Sequence, residues 1–77
     1  MNVTITKTLD LKGLSCPLPI VKTAKAMKEL RSGDVIEVLA TDPGSVPDFQ
    51  AWCRATRNEL IEQTAENGTF HYVIRKR

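Results

Sequence analysis

Residues 59–76 read ELIEQTAENGTFHYVIRK, and this stretch decides the fold because it predicts two strands joined by a tight turn. Asn67-Gly68 is the dipeptide that a two-residue hairpin turn favours, so we predict strands over residues 59–65 and 69–76. One face of the hairpin is then apolar except for Gln63, which indicates a sheet covered on one side only. The predicted facing pairs are Glu66 with Thr69, Ala65 with Phe70, Gln63 with Tyr72, and Ile61 with Ile74.

Hydrophobic spacing upstream of the hairpin predicts two more strands that alternate with two helices. Alternation with β-branched residues predicts a strand over residues 3–11, and residues 34–40 predict a second, central strand. Apolar residues recur every three or four positions over 17–31 and 46–56, which predicts the helices. Ser45 and Asp48 resemble a capping box before the second helix. The expected buried residues are Val3, Ile5, Leu9 and Leu11 in the first strand, and Ile20, Val21, Ala24, Met27 and Leu30 in the first helix.

The predicted element order, β-α-β-α-β-β, defines the fold class. Each strand-helix-strand crossover is expected to be right-handed, so both helices should lie on one face of the sheet. The first three strands then run parallel and the last one antiparallel. We therefore predict an α/β (α+β) two-layer sandwich with a mixed four-stranded sheet, formed by residues 1–77 as a single domain.

The composition argues against several classes of function. The 77 residues are 42% hydrophobic and 26% charged, as in globular domains, and the net charge of +2 is too small to predict nucleic-acid binding. Neither a secretory signal nor a run of about 20 apolar residues is present, so we expect a cytoplasmic protein that does not enter a membrane. With two cysteines and one histidine, the chain lacks the ligands of a structural zinc site, and we expect no metal.

The segment CPLP at residues 16–19 carries the candidate chemistry. Cys16 directly precedes the predicted helix, where unpaired N–H groups and the positive end of the helix dipole favour a thiolate. Pro17 suits the first helical position, and together with Pro19 it should make the site rigid. Gly13 in the preceding loop would let a partner approach. Lys22 is the cation whose place in the sequence best suits it to stabilise the thiolate.

Cys16 has a second interpretation, as a small apolar residue that does no more than cap the helix. The other thiol, Cys53, lies beside Trp52 on the predicted inward side of the second helix, and we expect it to pack rather than react. The basic residues near the first helix form either a solvated face or a docking surface for acidic partners. They are Lys12, Lys22, Lys25, Lys28 and Arg31.

The run DLKGLSCPLP at residues 10–19, with Thr41-Asp42-Pro43 further on, resembles the TusA/SirA/YedF sulfur-carrier family over nearly the whole chain. The resemblance implies a fold like the C-terminal domain of translation initiation factor three. It also implies that Cys16 is the residue that bears a persulfide. The other positions that match the family signature are Asp10, Gly13, Pro17, Pro19 and Asp42.

The same resemblance implies a sulfurtransferase-type sulfur carrier rather than a stand-alone enzyme, with no cofactor. It implies a sulfur-donor protein (a cysteine desulfurase or a rhodanese-like protein) and a sulfur-acceptor protein in tRNA thiolation, a molybdenum-cofactor pathway or dissimilatory sulfur oxidation. Two other functions stay open: a thiol-based redox or regulatory protein that uses Cys16, and an RNA-binding module that uses Arg75-Lys76-Arg77. Because the aromatic side chains are predicted to face inward, we expect no direct contact with nucleic acid.

Overall fold

A computed structural model describes residues 3–77, which form two helices packed on a four-stranded sheet. The strands lie in the order β1-β2-β4-β3; β1 is parallel to β2, and β4 is antiparallel to both β2 and β3. The predicted fold class and strand directions are therefore confirmed. Within the described range, no helix has the length and apolar character needed to cross a membrane. The elements are β1 (Lys7–Leu11), α1 (Leu18–Met27), β2 (Val35–Ala40), α2 (Ser45–Thr56), β3 (Glu59–Glu66) and β4 (Thr69–Arg75).

The core lies between the sheet and the two helices. Ile36 and Val38 of β2 and Tyr72 of β4 are fully buried in one cluster with residues of α1 and α2, so both helices cover the same face. Phe49 of α2 stacks on Tyr72 with the ring centroids 4.3 Å apart. The hydroxyls of Tyr72 and Ser45 are 2.8 Å apart and share a hydrogen bond, so this buried polar pair is satisfied.

Ser45 does not form the predicted capping box with Asp48. Its side chain turns into the core toward Tyr72, and the residue at the cap position of α2 is Gly44. Asp48, in the first turn of the helix, uses its carboxylate elsewhere. The serine hydroxyl is drawn inward because the buried phenol needs a hydrogen-bond partner, and local sequence spacing does not reveal that need.

Helix α1 is shorter than predicted at both ends. It begins at Leu18, with Pro17 at the cap position, and it ends early at Met27. Lys76 caps this end: its Nζ donates to the Met27 carbonyl at 2.8 Å and to the Leu30 carbonyl at 2.6 Å. A cation at the C-terminus of a helix satisfies free carbonyls and interacts favourably with the helix dipole, so it favours termination here.

The buried face of α1 is rotated from the predicted one. Val21 is 54% exposed, whereas Pro19 and Thr23 are buried together with Ala26 and Met27. Thr23 enters the core because its hydroxyl donates to the Pro19 carbonyl at 2.8 Å. The assignment of Val21 to the core is wrong because a hydrophobic pattern treats threonine as polar even where the helix backbone satisfies its hydroxyl.

Strand β1 starts later than predicted because Thr6 bends the chain before it. The Thr6 N–H donates to the Val35 carbonyl at 2.8 Å, and Thr6 Oγ1 accepts a hydrogen bond from the Val35 N–H at 3.2 Å. The hydroxyl thus replaces a backbone acceptor, and the ladder with β2 extends no further. Val3 and Ile5, which the alternation assigns to the helix side, instead line a cleft on the opposite, open face of the sheet.

A β-bulge in β3 changes the predicted register of the hairpin. Leu60 faces Ile74 and Glu62 faces Val73, so Ile61 has no partner in the ladder. The three predicted pairs nearer the turn are confirmed, and the predicted pairing of Ile61 with Ile74 is wrong. Because the extra residue reverses the side-chain alternation, Leu60 packs against the core and Ile61 joins the cleft on the open face.

Candidate functional site

The parallel pairing of β1 and β2 builds the site. Carboxyl ends of parallel neighbours meet at one edge of a sheet, so the loop after β1 lies beside the loop after β2. The first loop carries Cys16, which is exposed, and the second carries Asp42. Helix α2 starts directly after the second loop and brings Asp48 to the same place.

The loop before Cys16 is held by polar side chains on both sides. The Lys12 N–H donates to Asp10 Oδ1 at 3.2 Å, which closes a local turn at the end of β1. The Gly13 N–H donates to Thr41 Oγ1 at 2.9 Å, in the loop after β2. Gly13 has a φ of +87°, a conformation that strains other residues, so glycine is needed here for the backbone conformation itself.

Asp42 fixes the backbone of Cys16, whose N–H donates to Asp42 Oδ2 at 3.1 Å. Gly44 makes room for this contact. A Cβ added there would lie 2.8 Å from Asp42 Oδ2 and 3.2 Å from Cys16 Cβ, the first closer than real contacts allow. Sequence reasoning missed Gly44, although a glycine directly after Asp-Pro in a turn is a signal of close backbone approach.

The Cys16 thiol hydrogen-bonds to Asp48, the residue that the local sequence pattern assigns to a capping box. The Sγ atom donates to Asp48 Oδ2 over a distance of 2.7 Å. This hydrogen bond raises the pKa of the Cys16 thiol, and the negative charges of Asp48 and Asp42 add to the shift. The predicted stabilisation of a thiolate is therefore wrong: in this structure the surroundings favour the protonated thiol.

Helix α1 contributes little to the thiol because its first turn has few free donors. Pro17 and Pro19 have no N–H, and the Leu18 N–H donates to the Ser15 carbonyl at 2.9 Å. The expected effect of the helix dipole is thus outweighed by two nearby carboxylates. Pro19 is buried and Pro17 is exposed, so the two prolines lie on different sides of the turn.

Lys22, the cation expected beside the thiol, is exposed on α1. None of the hydrogen bonds that Cys16 makes within residues 3–77 involves Lys22. Leu18 and Val21, at the start of the same helix, are 45% and 54% exposed. The surface that follows Cys16 along the chain is therefore partly apolar as well as basic.

The second thiol is poorly suited to chemistry. Cys53 is 5% exposed and belongs to the core cluster, as predicted. Burial raises its pKa to about 11, so it stays protonated at neutral pH. Both cysteines are free thiols. Within residues 3–77, no group of three or more Cys, His, Asp or Glu side chains is arranged to hold a metal ion.

Two of the three basic C-terminal side chains are engaged within the fold. Arg75 forms an ion pair with Glu59 at 2.8 Å, and Lys76 caps α1. The stacked rings of Phe49 and Tyr72 are fully buried, so they are not available to stack on bases. Both features weaken the RNA-binding interpretation.

Another ionisable cluster lies on the open face of the sheet and reaches all four strands, since His71 Nδ1 is also 3.7 Å from Glu62 Oε2 on β3. His71 Nε2 on β4 is 2.6 Å from Glu37 Oε2 on β2, and the Thr8 hydroxyl on β1 donates to Glu37 Oε1 at 3.0 Å. The hydrogen bonds from His71 and then Thr8 lower the pKa of Glu37. Both carboxylate oxygens are thus occupied within the sheet, so the cluster has a structural role in linking the strands.

Comparisons with known proteins agree on one family. The family model described as Sulfurtransferase TusA matches residues 7–76. The chain is 52% identical over 68 residues to the Sulfur carrier protein TusA of Allochromatium vinosum, covering 88% of this chain and 90% of that one. It is 38% identical over 76 residues to the Sulfur carrier protein TusA of Pseudomonas syringae, covering 99% and 90%. The crystal structure of the SirA-like protein from Desulfitobacterium hafniense superposes with a TM-score of 0.80 at 28% identity, covering 91% of this chain and 96% of that one.

Proposed function

Because this chain belongs to the sulfurtransferase TusA family of sulfur carriers, we propose that it carries sulfur as a persulfide on Cys16. The sulfur comes from a donor protein that holds a persulfide and goes to an acceptor protein that offers a thiol. The observation that carries the proposal is the contrast between the two thiols. Cys16 is exposed where two loops and a helix meet, and Cys53 is buried, so a partner has access to Cys16.

The transfer needs an accessible sulfur and no cofactor. In the first step, the thiolate of Cys16 attacks the outer sulfur of the donor's persulfide. A new S–S bond forms on Cys16, the donor's S–S bond breaks, and the donor's inner sulfur leaves as a thiolate with the electron pair. In the second step, a thiolate of the acceptor attacks the outer sulfur on Cys16, and Sγ leaves. The two steps consume no oxidant and no reductant.

The hydrogen bonds around Cys16 support this role because they hold the sulfur in one place before a partner arrives. Asp42 fixes the Cys16 N–H at 3.1 Å, and Thr41 fixes the loop through the Gly13 N–H at 2.9 Å. A pre-organised group loses little conformational freedom when a partner docks. We assign the remaining positions that match the family signature to shaping this loop and the start of α1: Asp10, Pro17 and Pro19.

The family implies the classes of partner. We propose a cysteine desulfurase or a rhodanese-like protein as the donor. We propose an acceptor in tRNA thiolation, a molybdenum-cofactor pathway or dissimilatory sulfur oxidation. Leu18, Val21 and Lys22 are exposed on the helix that follows Cys16, and we assign them to the surface that such proteins contact.

The redox alternative has less support than sulfur carriage. The raised pKa of Cys16 bears equally on both roles, because a peroxide sensor and a sulfur carrier both react as thiolates. A resolving thiol, however, would have to reach the first one, and Cys53 is 5% exposed inside the core.

Intact mass after incubation with a loaded donor tests the proposal. The protein, with Cys16→Ser and Cys53→Ser beside it, is incubated with a persulfide-loaded cysteine desulfurase or with thiosulfate and a rhodanese. We expect the wild type and Cys53→Ser to gain the mass of one sulfur atom, reversibly by reductant, and Cys16→Ser to gain none. No gain from any donor, while Cys16 still reacts with iodoacetamide, would remove the carrier proposal and favour a redox role.

A further inference from the structure

We propose that Asp48 is the proton acceptor of Cys16 when sulfur arrives and its proton donor when sulfur leaves, an inference that rests on the proposed sulfur carriage. The observation behind it is the 2.7 Å contact between Cys16 Sγ and Asp48 Oδ2. Sγ is the atom that attacks in the first step and the atom that leaves in the second. Within residues 3–77, Asp48 supplies the one hydrogen bond that this atom makes.

The two carboxylates near the sulfur have different tasks. Asp42 Oδ2 accepts the backbone N–H of Cys16 at 3.1 Å and so fixes the loop. Asp48 Oδ2 accepts the hydrogen bond of the thiol itself, with the two atoms 2.7 Å apart. This bond is also the main cause of the raised pKa of the thiol. Asp48, and not Asp42, is therefore in position to take or give it.

The other ionisable groups near Cys16 and Asp48 are less well placed to take the proton of the thiol. The negative charge of Asp42 also acts on Cys16. The negative charge of Asp48 opposes the ionisation of Tyr72 on β4. Burial raises the pKa of Tyr72, and its hydroxyl is bonded to Ser45 at 2.8 Å, so it stays neutral. Among residues 3–77, no cationic side chain hydrogen-bonds to Cys16.

The proton balances in both steps. During loading, it moves from Sγ to Asp48 Oδ2 as Sγ attacks the outer sulfur of the donor persulfide. That outer sulfur keeps its own hydrogen, and the donor's inner sulfur leaves with the electron pair of the broken S–S bond. Asp48 then releases the proton to water. During unloading, an acceptor thiolate attacks the outer sulfur, and Sγ leaves with the electron pair and takes a proton that water supplies through Asp48. The final state is the hydrogen-bonded thiol of this structure.

Asp48→Asn separates proton transfer from the effect of charge. The substitution keeps the shape of the side chain, removes its negative charge, and leaves no carboxylate to take the proton from Sγ. Loss of the charge lowers the thiol pKa and speeds alkylation by iodoacetamide, a small reagent that meets the thiolate while the site is open to water. Sulfur transfer takes place in a complex with a partner protein, where Asp48→Asn has no carboxylate to take or return the proton of Sγ, so we expect it to become slower.

The test compares Asp48→Asn with Glu66→Gln, the same charge change at an exposed position at the end of β3. Each protein is loaded from a persulfide-loaded cysteine desulfurase and unloaded into glutathione, with both single-turnover rates followed by intact mass. Alkylation of the unloaded thiol by iodoacetamide is timed at the same pH. For Asp48→Asn, we expect both sulfur transfers to slow by at least about tenfold and alkylation to become faster. Asp48→Glu should recover part of the transfer rate, and Glu66→Gln should match the wild type.

The outcomes separate this role from simpler ones. Sulfur transfer at the wild-type rate, or transfer and alkylation that become faster together, would overturn it, because the carboxylate would then do no more than restrain the thiol. Slower alkylation together with slower transfer would also overturn it, since that result reports a displaced sulfur. Failure of the wild type to take up any sulfur would instead overturn the proposed function.

Discussion

The Sγ atom of Cys16 lies 2.7 Å from Oδ2 of Asp48, 32 positions away in sequence, so helix α2 sets the protonation of a thiol that precedes helix α1. The pKa of the thiol is raised, and the unloaded protein therefore holds little thiolate at neutral pH. Exposure and reactivity are thus controlled separately at this site. The loop exposes the sulfur, and the hydrogen bond to the Asp48 carboxylate keeps the sulfur protonated.

Removal of the Asp48 charge should move the pH profile of thiol alkylation. The ordinary thiol pKa is 9.0, and the native site raises it. Both proteins are protonated well below that range and react slowly there. As the pH rises, Asp48→Asn should form its thiolate first, so its half-maximal rate with iodoacetamide should fall at lower pH than that of the wild type. Glu66→Gln serves as the control, and superimposable profiles for Asp48→Asn and the wild type would contradict the assigned cause of the shift.

Alanine at Gly44 should disturb the site more than the fold. The φ of −64° at Gly44 suits alanine, but the new Cβ would meet Asp42 Oδ2 at 2.8 Å and Cys16 Cβ at 3.2 Å. We expect the alkylation rate of Cys16 to change severalfold, while the free energy of unfolding in urea changes by less than about 1 kcal/mol.

Gly68→Ala is the matched control for that substitution and should show the reverse pattern. Gly68 has a φ of +79° and no atom within 4 Å of an added Cβ. Strain in the hairpin turn should then lower the free energy of unfolding by about 1–2 kcal/mol and leave the alkylation of Cys16 unchanged. A similar change in Cys16 reactivity for both variants would contradict a specific role for Gly44.

Loss of the Lys76 ammonium should destabilise the fold. Its Nζ donates to two carbonyls at the end of α1, at 2.8 Å and 2.6 Å. Lys76→Met keeps most of the apolar stem and removes both hydrogen bonds, so we expect a loss of about 1–3 kcal/mol in the free energy of unfolding in urea. Lys25→Met, at an exposed position in the last turn, should change it by less than about 0.5 kcal/mol. Equal losses would mean that positive charge in general, and not this cap, stabilises the helix.

Burial of Cys53 should make the fold sensitive to alkali. Its native pKa is about 11, compared with 9.0 for an ordinary thiol, so the folded state keeps a proton that the unfolded state has already lost. The stability from this group is full below the lower value and is lost as the pH rises toward the higher one. From about pH 8 to about pH 11, the wild type should lose about 2 kcal/mol more free energy of unfolding than Cys53→Ala. Urea titrations at both pH values check this, and parallel losses in the two proteins would contradict it.

The hydrophobic pattern predicted most of the fold because burial depends on which residues share a face. It placed the hairpin turn at Asn67-Gly68 and the register next to it correctly. It missed the bulge at Ile61 and the bend at Thr6, because each shifts the alternation by one residue and depends on contacts with a neighbouring strand. It also missed Thr23, whose hydroxyl is satisfied by its own helix.

The site was harder to predict from the sequence than the fold. The signature drew attention to Cys16 and Asp42, which are in contact in the structure. The expected thiol pKa had the wrong direction because the dipole of the following helix is a local signal, whereas the decisive carboxylate comes from another helix. Asp48 fits a local capping pattern, and this pattern gives no indication of its contact with the sulfur.

The proton that Cys16 retains also affects reactions other than sulfur transfer. Thiolates react with peroxides and other electrophiles far faster than thiols do, and soft metal ions bind the thiolate form. An exposed cysteine meets many such reagents before it meets a loaded donor. The hydrogen bond to Asp48 therefore makes the unloaded protein slow to react with these reagents. Its selectivity comes from the protonation of one sulfur atom, where a larger protein would use a closed pocket.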